Sequence, residues 1–511
     1  MSKAFKAGML WLVVAALVWL VTLWRWQTTG HDVSGAEIVL QLLVLPVVLT
    51  VVLLLALWGV ARLRNQAGSP LRVPGSVLAS AEGGKTLSAA TDPRSFSVAV
   101  VDAAVHSAAG VGVEQVLMQI RAGEIRPDLD AHLQDVDGAP VFAARVKELD
   151  VEPLRERLPA EVSDRVVRVL ALLQQPADQL FNRVAEMAMS WLEAQHPGAS
   201  GSRPDAVTEP TMKAHLSGLT PPPRSDVNRA ATLPRLTVRL FVPSDWTEVE
   251  REHLTAWLRM RCASLADEAD ALRDIPPALH VHALDHGDAL WALVDQQAVQ
   301  WAREADPQWC VLLVADSALD EVEIERRQAV GELFTGAHQT GRIPGEAAAA
   351  VLLTTTNWPG LPDMAPEPAR LFRPVRLRRD KSADAAGRVG PTTLQEAMRQ
   401  ALSVSGACDT DLALVVADGD HRASRTAEVF EALQGVAPQL DPMLCVARVG
   451  AACGDLGLAA SLVPLALAVG AVQQDGHTGV TLALNVQSPH DRIAVALLPW
   501  TWLPPSAQAT T

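Results

Sequence analysis

Two long uncharged runs near the N-terminus constrain the fold of this chain more strongly than any other feature. Residues 7–24 contain no charged side chain, and residues 38–61 contain none either. A transmembrane α-helix needs about 20 mostly apolar residues to cross the roughly 30 Å of hydrocarbon in a bilayer. The sequence therefore predicts that residues 1–64 form a transmembrane hairpin of two helices, with residues 7–61 contacting the membrane.

The charges beside these two runs predict the orientation of the hairpin. Lys3 and Lys6 precede the first run, and Arg62 and Arg64 follow the second, whereas the connecting loop has Arg25 as its one cation. Cytoplasmic segments beside membrane spans carry an excess of Lys and Arg. We therefore expect the N-terminus and everything after the second run to lie in the cytoplasm.

The composition of the remaining chain excludes several functions. Residues 65–95 are rich in Gly, Ser, Ala and Pro, which predicts a flexible tether. A net charge of −15 offers no basic field for a phosphate backbone, so nucleic acid is not expected as a partner. The five cysteines have no CxxC spacing, which argues against a disulfide framework and against a zinc site.

Strands alternate with helices from residue 96 onward, as is typical of an α/β fold. The elements form two sets in a similar order, and we predict a first half over residues 96–375 and a second half over residues 376–505. A helical pair at 164–195 and the Pro-rich stretch after it predict an insertion at about 164–230. A proline-rich basic connector at 362–390 is expected to join the halves.

Several of these segments resemble the β-ketoacyl synthase and thiolase superfamily. The chain has "PGEAAAAVLL" from Pro344 where those enzymes turn into a strand with Gly-Glu-Gly-Ala, and "LALVVADGDHR" where a strand leads to their His-Gly-Thr-Gly-Thr site. Further on, "CGDLGLAAS" (Cys453 to Ser461) and "LNVQSPHDRIAVALL" are similar to their Gly-His-Thr and Asn-Ser-Phe-Gly segments. The resemblance implies a thiolase-like fold of duplicated, layered sheets and helices over about residues 96–499.

The same resemblance indicates what stands at the superfamily's reactive positions. Those enzymes use a cysteine thiolate at a helix N-terminus together with two histidines, or a histidine and a lysine. Here the corresponding helix begins at Gly287 and Asp288, Asp418 and Asp455 take the places of the histidines, and Gly450 takes that of the lysine. Aspartates would repel an enolate rather than stabilise it. We therefore predict no catalytic, cofactor-binding or metal-binding residue and no enzymatic activity.

A cluster of histidines and aspartates leaves one alternative open. The stretch "HVHALDHGD" resembles the His-x-His-x-Asp-His motif of metallo-β-lactamase-type hydrolases, so a membrane-anchored metal-dependent hydrolase would use His280, His282 and His286. One extra residue separates His282 from Asp285, which would turn the ligands to different faces. The sequence favours a strand whose two histidines share one face, followed by Asp285 or Asp288 as a helix cap.

The chain resembles the type VI secretion lipase adaptor family in its overall organisation. It combines a predicted membrane hairpin, a predicted cytoplasmic body and a thiolase-like site without the reactive residues. This resemblance implies a non-catalytic adaptor in the bacterial inner membrane that needs no cofactor. It also implies two protein partners: a phospholipase effector that the adaptor binds, and the VgrG spike to which the effector is delivered.

Two further expectations concern surfaces. A second alternative is a lipid or acyl-carrier sensor that uses the degenerate pocket. In that case the arginines of the basic connector would contact the acidic carrier; the other interpretation is that they lie in a solvated loop. These arginines are Arg373, Arg376, Arg378 and Arg379. Tryptophans are candidate anchors for an adaptor's partners, unless they lie in the core; those considered are Trp246, Trp257, Trp358, Trp500 and Trp502.

Overall fold

The computed structural model describes residues 96–195, 233–268, 276–304, 306–385, 387–388 and 390–502. The chain divides into two compact units, Met1–Ser88 and Ala89–Thr511, and all described residues belong to the second unit. The predicted hairpin at 1–64 and tether at 65–95 lie outside them, as does the 196–230 part of the predicted insertion. Within the described ranges, no helix has the length and apolar character that a membrane crossing requires.

One large mixed sheet and one small hairpin contain the strands of the described residues. The large sheet has the order β12-β11-β13-β14-β9-β1-β8-β7-β5-β6, with β2 beside β1 and β10 beside β14, and β3 pairs with β4. The strands are β1 (Ser97–Ser107), β2 (Gly110–Val111), β3 (Asp128–Gln134), β4 (Pro140–Ala143), β5 (Arg235–Pro243), β6 (Ala278–Leu284), β7 (Gln308–Ser317), β8 (Glu346–Thr354), β9 (Ala369–Phe372), β10 (Val375–Arg378), β11 (Leu412–Ala417), β12 (Val446–Arg448), β13 (Val480–Asn485) and β14 (Asp491–Pro499).

The strand order shows the duplication that the sequence predicts. At the centre of the sheet β1 and β9 pair antiparallel, with Ser97 opposite Phe372. Outward from this centre the order is β1-β8-β7-β5-β6 on one side and β9-β14-β13-β11-β12 on the other. In each half, the strand next to the centre runs antiparallel to its outer neighbour, and the three outermost strands run parallel to one another. The two halves therefore repeat one five-stranded unit.

The helices cover the two five-stranded halves of the sheet, and some of them lie between the halves. They are α1 (Val113–Ala122), α2 (Glu152–Arg155), α3 (Asp164–Gln195), α4 (Glu248–Glu268), α5 (Gly287–Trp301), α6 (Glu321–Ala329), α7 (Thr392–Ser405), α8 (Ala423–Val436), α9 (Pro442–Cys445), α10 (Val449–Cys453) and α11 (Val463–Val472). One core joins α3 and α4 to the first-half sheet, and another joins α7 and α8 to the second-half sheet. A third core contains α1, α5 and α11 between strands of both halves. Every residue of α11 is buried, so its apolar character all round is what a fully covered helix requires. The predicted α/β fold of duplicated, layered sheets and helices is present.

Two local predictions differ from the structure. The predicted helical pair at 164–195 is the single helix α3, which continues through Pro176 because its apolar face packs on β1, β7 and β8. The basic connector is not a loop throughout, since it contains β9 and β10. Strand β9 buries Ala369 and Leu371 between its neighbours in the sheet. This strand is difficult to recognise in the sequence because Arg370 interrupts its apolar residues.

Candidate functional site

A cleft of 910 Å³ gathers the positions at which the superfamily would carry its reactive groups. Gly287 and Asp288 at the start of α5, Asp418 after β11, and Asp455 after α10 all line it. The structure thus brings together four residues that the sequence resemblance assigns to separate reactive positions. Gly450 lies beneath the site, where a Cβ atom would come within 2.5 Å of the Asp418 carbonyl oxygen.

The nucleophile position has no room for a nucleophile. A Cβ atom on Gly287 would lie 2.8 Å from the Cβ of Ser461, closer than such atoms approach in proteins. Ser461 ends a 3₁₀ helix (Gly457–Ser461), and its hydroxyl donates to the Leu458 carbonyl oxygen at 2.7 Å. A cysteine side chain at the first residue of α5 would therefore collide with this helix.

Asp455, which replaces one histidine, is held as a carboxylate by two arginines. Its Oδ2 accepts from Arg327 at 2.9 Å and from Arg342 at 3.4 Å, and its Oδ1 accepts from the Gly457 N–H. Burial by itself raises the pKa of Asp455, but the two guanidinium groups hold that pKa well below its usual range. A carboxylate in this state is unable to serve as a proton donor or acceptor near neutral pH.

Asp418, which replaces the other histidine, is buried and serves as a hydrogen-bond acceptor for the chain itself. Its carboxylate accepts from the Val486 N–H at 2.6 Å and from the Asn485 side chain at 3.2 Å. Asn485 in turn donates to the Ala460 carbonyl oxygen at 2.7 Å and accepts from the Trp291 indole at 2.8 Å. Burial raises the pKa of Asp418 to about 7, against these hydrogen bonds. The residue ties the loop after β13 to the loop after β11.

This raised pKa predicts a pH dependence of stability. A carboxyl group whose pKa is higher in the folded protein contributes stability that is present below its unfolded pKa and is lost as the pH rises through its folded pKa. The unfolding free energy of the unmodified protein should therefore fall, relative to that of Asp418→Asn, as the pH rises from about 4 to about 7. Urea unfolding at several pH values measures this difference, and a difference that does not change with pH would contradict the prediction.

No cysteine lines the described part of this cleft. Cys453, the cysteine nearest to the eroded motif, is buried beside Ser107, with 3.6 Å between sulfur and hydroxyl oxygen, and burial raises the pKa of its thiol to about 11. A nucleophilic cysteine needs a lowered pKa and access to substrate. Cys453 has neither of these properties.

The histidine cluster is divided between two places. His280 and His282 stack on one face of β6 with 6.1 Å between ring centres, as the strand interpretation predicts. The Arg239 guanidinium lies 3.1 Å from Nε2 of His282, and a cation there opposes metal binding. His286, not an aspartate, is the residue that precedes α5, and it makes no side-chain capping bond, so the predicted Asp cap is wrong. Among the described residues, no group of three His, Cys, Asp or Glu side chains could hold a metal ion.

The four connector arginines are ion-paired rather than free in a solvated loop, so that expectation is wrong. Arg373 makes two hydrogen bonds to Asp295, and Arg379 pairs with the buried Glu428. Arg376 contacts Asp288 and Asp491, and Arg378 also contacts Asp491. The cleft as a whole is lined by nine carboxylates and five arginines, a balance that disfavours an acidic carrier.

Of the candidate tryptophan anchors, Trp246, Trp257 and Trp358 are buried in the core beneath α3 and α4. Their proposed role at a surface is wrong for that reason. Trp500 and Trp502 are partly exposed, and the Arg370 guanidinium lies over the Trp500 ring at 4.9 Å.

Fold and cleft together define a duplicated α/β body in which glycine and paired or buried carboxylates stand where the sequence resemblance expects reactive groups. A family model described as "Type VI lipase adapter protein Tla3, C-terminal" matches residues 369–499. The predicted resemblance to the type VI secretion lipase adaptor family is confirmed by this match over residues 369–499. A search of curated proteins found no match.

Solved structures of condensing enzymes are similar to this chain at low identity. The ishigamide ketosynthase/chain length factor is 15% identical over 79% of this chain and 99% of its own, with a TM-score of 0.47. The ketosynthase from module 6 of the bacillaene synthase from Bacillus subtilis 168 is 12% identical over 80% of this chain and 72% of its own, with a TM-score of 0.48.

Proposed function

We propose that this chain is a non-catalytic adaptor, anchored in the bacterial inner membrane, that binds a type VI lipase effector in the cytoplasm and delivers it to the VgrG spike. The family match over residues 369–499 is the observation that carries the proposal. Three of the replaced reactive positions, Asp418, Gly450 and Asp455, lie inside the matched segment.

The cleft supports a binding role over a catalytic one. Acyl transfer by a thiolase-like enzyme needs a thiolate and basic groups around one reacting carbon. Here Gly287 has no space for a side chain, Asp455 is neutralised by Arg327 and Arg342, and Asp418 is used as an internal acceptor. A rigid fold that has lost its chemistry still offers a large surface for protein partners.

The sequence supports the membrane part of the proposal. Two uncharged runs within residues 7–61, with lysines before them and arginines after them, would keep the body on the cytoplasmic side. Residues 65–95 would then give the body reach from the membrane. An adaptor held in this way can collect an effector before secretion.

Neither alternative function is favoured by a contact in the structure. The metal-dependent hydrolase would need three histidines around one ion, but Arg239 contacts His282, and His286 lies at the cleft instead. The acyl-carrier sensor would need unpaired arginines, but Arg373 and Arg379 are both paired with carboxylates.

The adaptor proposal predicts two separable interactions and one phenotype. The full chain, purified in detergent, should co-purify with a type VI lipase encoded in the same genome, and separately with the VgrG protein. Deletion of this gene should abolish delivery of that lipase to rival cells while a different type VI effector is still delivered, which serves as the control. Unchanged lipase delivery in the deletion strain would refute the proposal.

A further inference from the structure

The short helix α9 exposes two apolar side chains that are consecutive in the chain. Met443 is 70% exposed and Leu444 is 68% exposed. Of the twelve exposed large hydrophobic side chains among the residues that the structure describes, these are the two that lie within residues 369–499, the segment matched by the lipase adapter model. Because their Cα atoms are adjacent, one partner surface can cover both. The pair is here named the α9 patch.

Hydrogen bonds and packing fix the turn that carries the α9 patch. The Asp441 side chain caps α9 by accepting from the Met443 N–H at 2.9 Å, and the Asp441 carbonyl oxygen accepts from the Cys445 N–H at 2.9 Å. Leu440 and Cys445, on either side of the turn, are partly buried and pack against the second-half core. A partner would therefore meet a surface that is already ordered, so that little conformational entropy is lost on binding.

The polar surroundings of the α9 patch are acidic. Residues 406–412 and 434–447 together contain three aspartates and no lysine or arginine. The two stretches meet where the Gln439 side chain donates to the Asp409 carbonyl oxygen at 3.1 Å. Both Asp409 and Asp441 are exposed. A partner that covers the patch therefore meets a negatively charged rim.

Two arginines next to these stretches are held by other groups. Arg448 donates to the Thr426 hydroxyl at 3.1 Å, and Arg399 donates to the Gly435 carbonyl oxygen at 2.6 Å. Neither of them is paired with one of the two exposed aspartates of the rim. These carboxylates can therefore accept hydrogen bonds from basic side chains of a partner.

From this arrangement we infer that the α9 patch is an anchor for the lipase effector, which would receive it in an apolar pocket with a basic rim. Interfaces combine an apolar centre, in which Met is enriched, with a polar rim of complementary charge. A second copy, related by a two-fold axis through the patch, would bring the same aspartates together. An anionic membrane would also be repelled by them.

The position of the patch selects the lipase over the VgrG spike as its occupant. The model that matches residues 369–499 is described as that of a lipase adapter, and within the described part of this segment the α9 patch holds all the exposed large hydrophobic side chains. Neither of its residues lines the cleft, so this is a separate surface. The inference rests on the proposed adaptor function and assigns a surface to one of its two partners.

The test measures binding of the cognate lipase to the full chain in detergent. The double variant Met443→Asp/Leu444→Asp is expected to raise the dissociation constant for the lipase by about tenfold or more, because two carboxylates would enter an apolar pocket. Since both side chains are mostly exposed, thermal unfolding of this variant should match that of wild type. Met443→Leu, which keeps the apolar surface, should bind within about twofold of wild type.

Controls separate this patch from apolar exposure in general. Met260→Asp and Val322→Asp are matched to it, since these side chains are 58% and 74% exposed but lie outside residues 369–499, and both variants should bind the lipase like wild type. The double variant should bind VgrG unchanged. Added salt should weaken wild-type binding of the lipase, and Asp409→Lys should weaken it at low salt by opposing the basic rim.

Each contrary outcome has a distinct meaning. If wild type binds the lipase and the double variant binds it equally well, the α9 patch is not the anchor, while the adaptor function stands. If wild type does not bind the lipase, both the adaptor function and this inference are wrong. A double variant that loses VgrG, changes from dimer to monomer, or loses binding to anionic phospholipid vesicles would show a different occupant and overturn the inference.

Discussion

Replacing Glu428 with glutamine should lower the free energy of unfolding by about 3–5 kcal/mol, because removing one member of a buried ion pair leaves a charge without a partner. Glu428 on α8 is fully buried, and so is Arg492, which donates to both carboxylate oxygens at 2.8 Å. Arg379 contacts the same carboxylate. The substitution would therefore leave the guanidinium groups of Arg379 and Arg492 without the carboxylate that both of them contact.

The measurement is thermal unfolding followed by tryptophan fluorescence. For a body of about 400 residues, a loss of this size corresponds to a fall in Tm of about 4–6 °C. Glu431→Gln on the same helix is the matched control, since its partner Arg388 is 79% exposed and such pairs contribute only about 0–1 kcal/mol. Equal effects of the two substitutions would show that the buried pair is not a main source of stability.

Asp455→His, which puts back a histidine where the superfamily has one, should destabilise the protein by a similar amount, about 3–5 kcal/mol, and restore no acyl transfer. The half-buried Arg342 would lose the carboxylate that it contacts, and the buried Arg327 would keep Glu323 but lose the second of its two carboxylate contacts. Two cations beside it would also keep the new imidazole neutral. The nucleophile would still be missing, since Gly287 has no room for one.

Thermal unfolding followed by tryptophan fluorescence measures the loss of stability. Incubation with an acyl-thioester, followed by mass spectrometry, measures whether an acyl group is transferred to the protein. Asp245→Asn is the control, because Asp245 is an exposed partner of Arg165, which keeps Asp316 as a second partner. An acyl group trapped on any of the five cysteines, in the unmodified protein or in the variant, would contradict the non-catalytic interpretation.

The central features of the fold could be predicted from sequence because they depend on local patterns. The apolar stretch Glu346–Thr354 gives the buried strand β8 where the sequence predicts a strand, and a second apolar stretch, Val463–Val472, gives the buried helix α11. The altered positions Gly287, Asp418 and Asp455 were assigned from the resemblance to superfamily motifs, which lie at the ends of regular elements. Strand β9 was missed since it is four residues long and interrupted by arginine.

The charge network of the cleft could not be predicted, since its partners are distant in sequence. Arg327 and Asp455 lie 128 positions apart, and Arg165 and Asp316 lie 151 apart. One signal was available: Arg425 and Glu428 stand at positions of α8 that face the core, where an ionised side chain needs a partner. Charged residues at these positions could have indicated buried ion pairs in the second half, although the partner residues could not have been identified from the sequence.

The close approach of Gly287 to Ser461 also bears on how this protein can evolve. A cysteine at position 287 would be penalised until the 3₁₀ helix moved away, and the helix is held by the Leu458 N–H bond to Asp316 at 2.9 Å. Asp316 in turn pairs with Arg165, so that relocation would disturb an ion pair as well. A thiol at position 287 would therefore need compensating changes both in the 3₁₀ helix and around this ion pair.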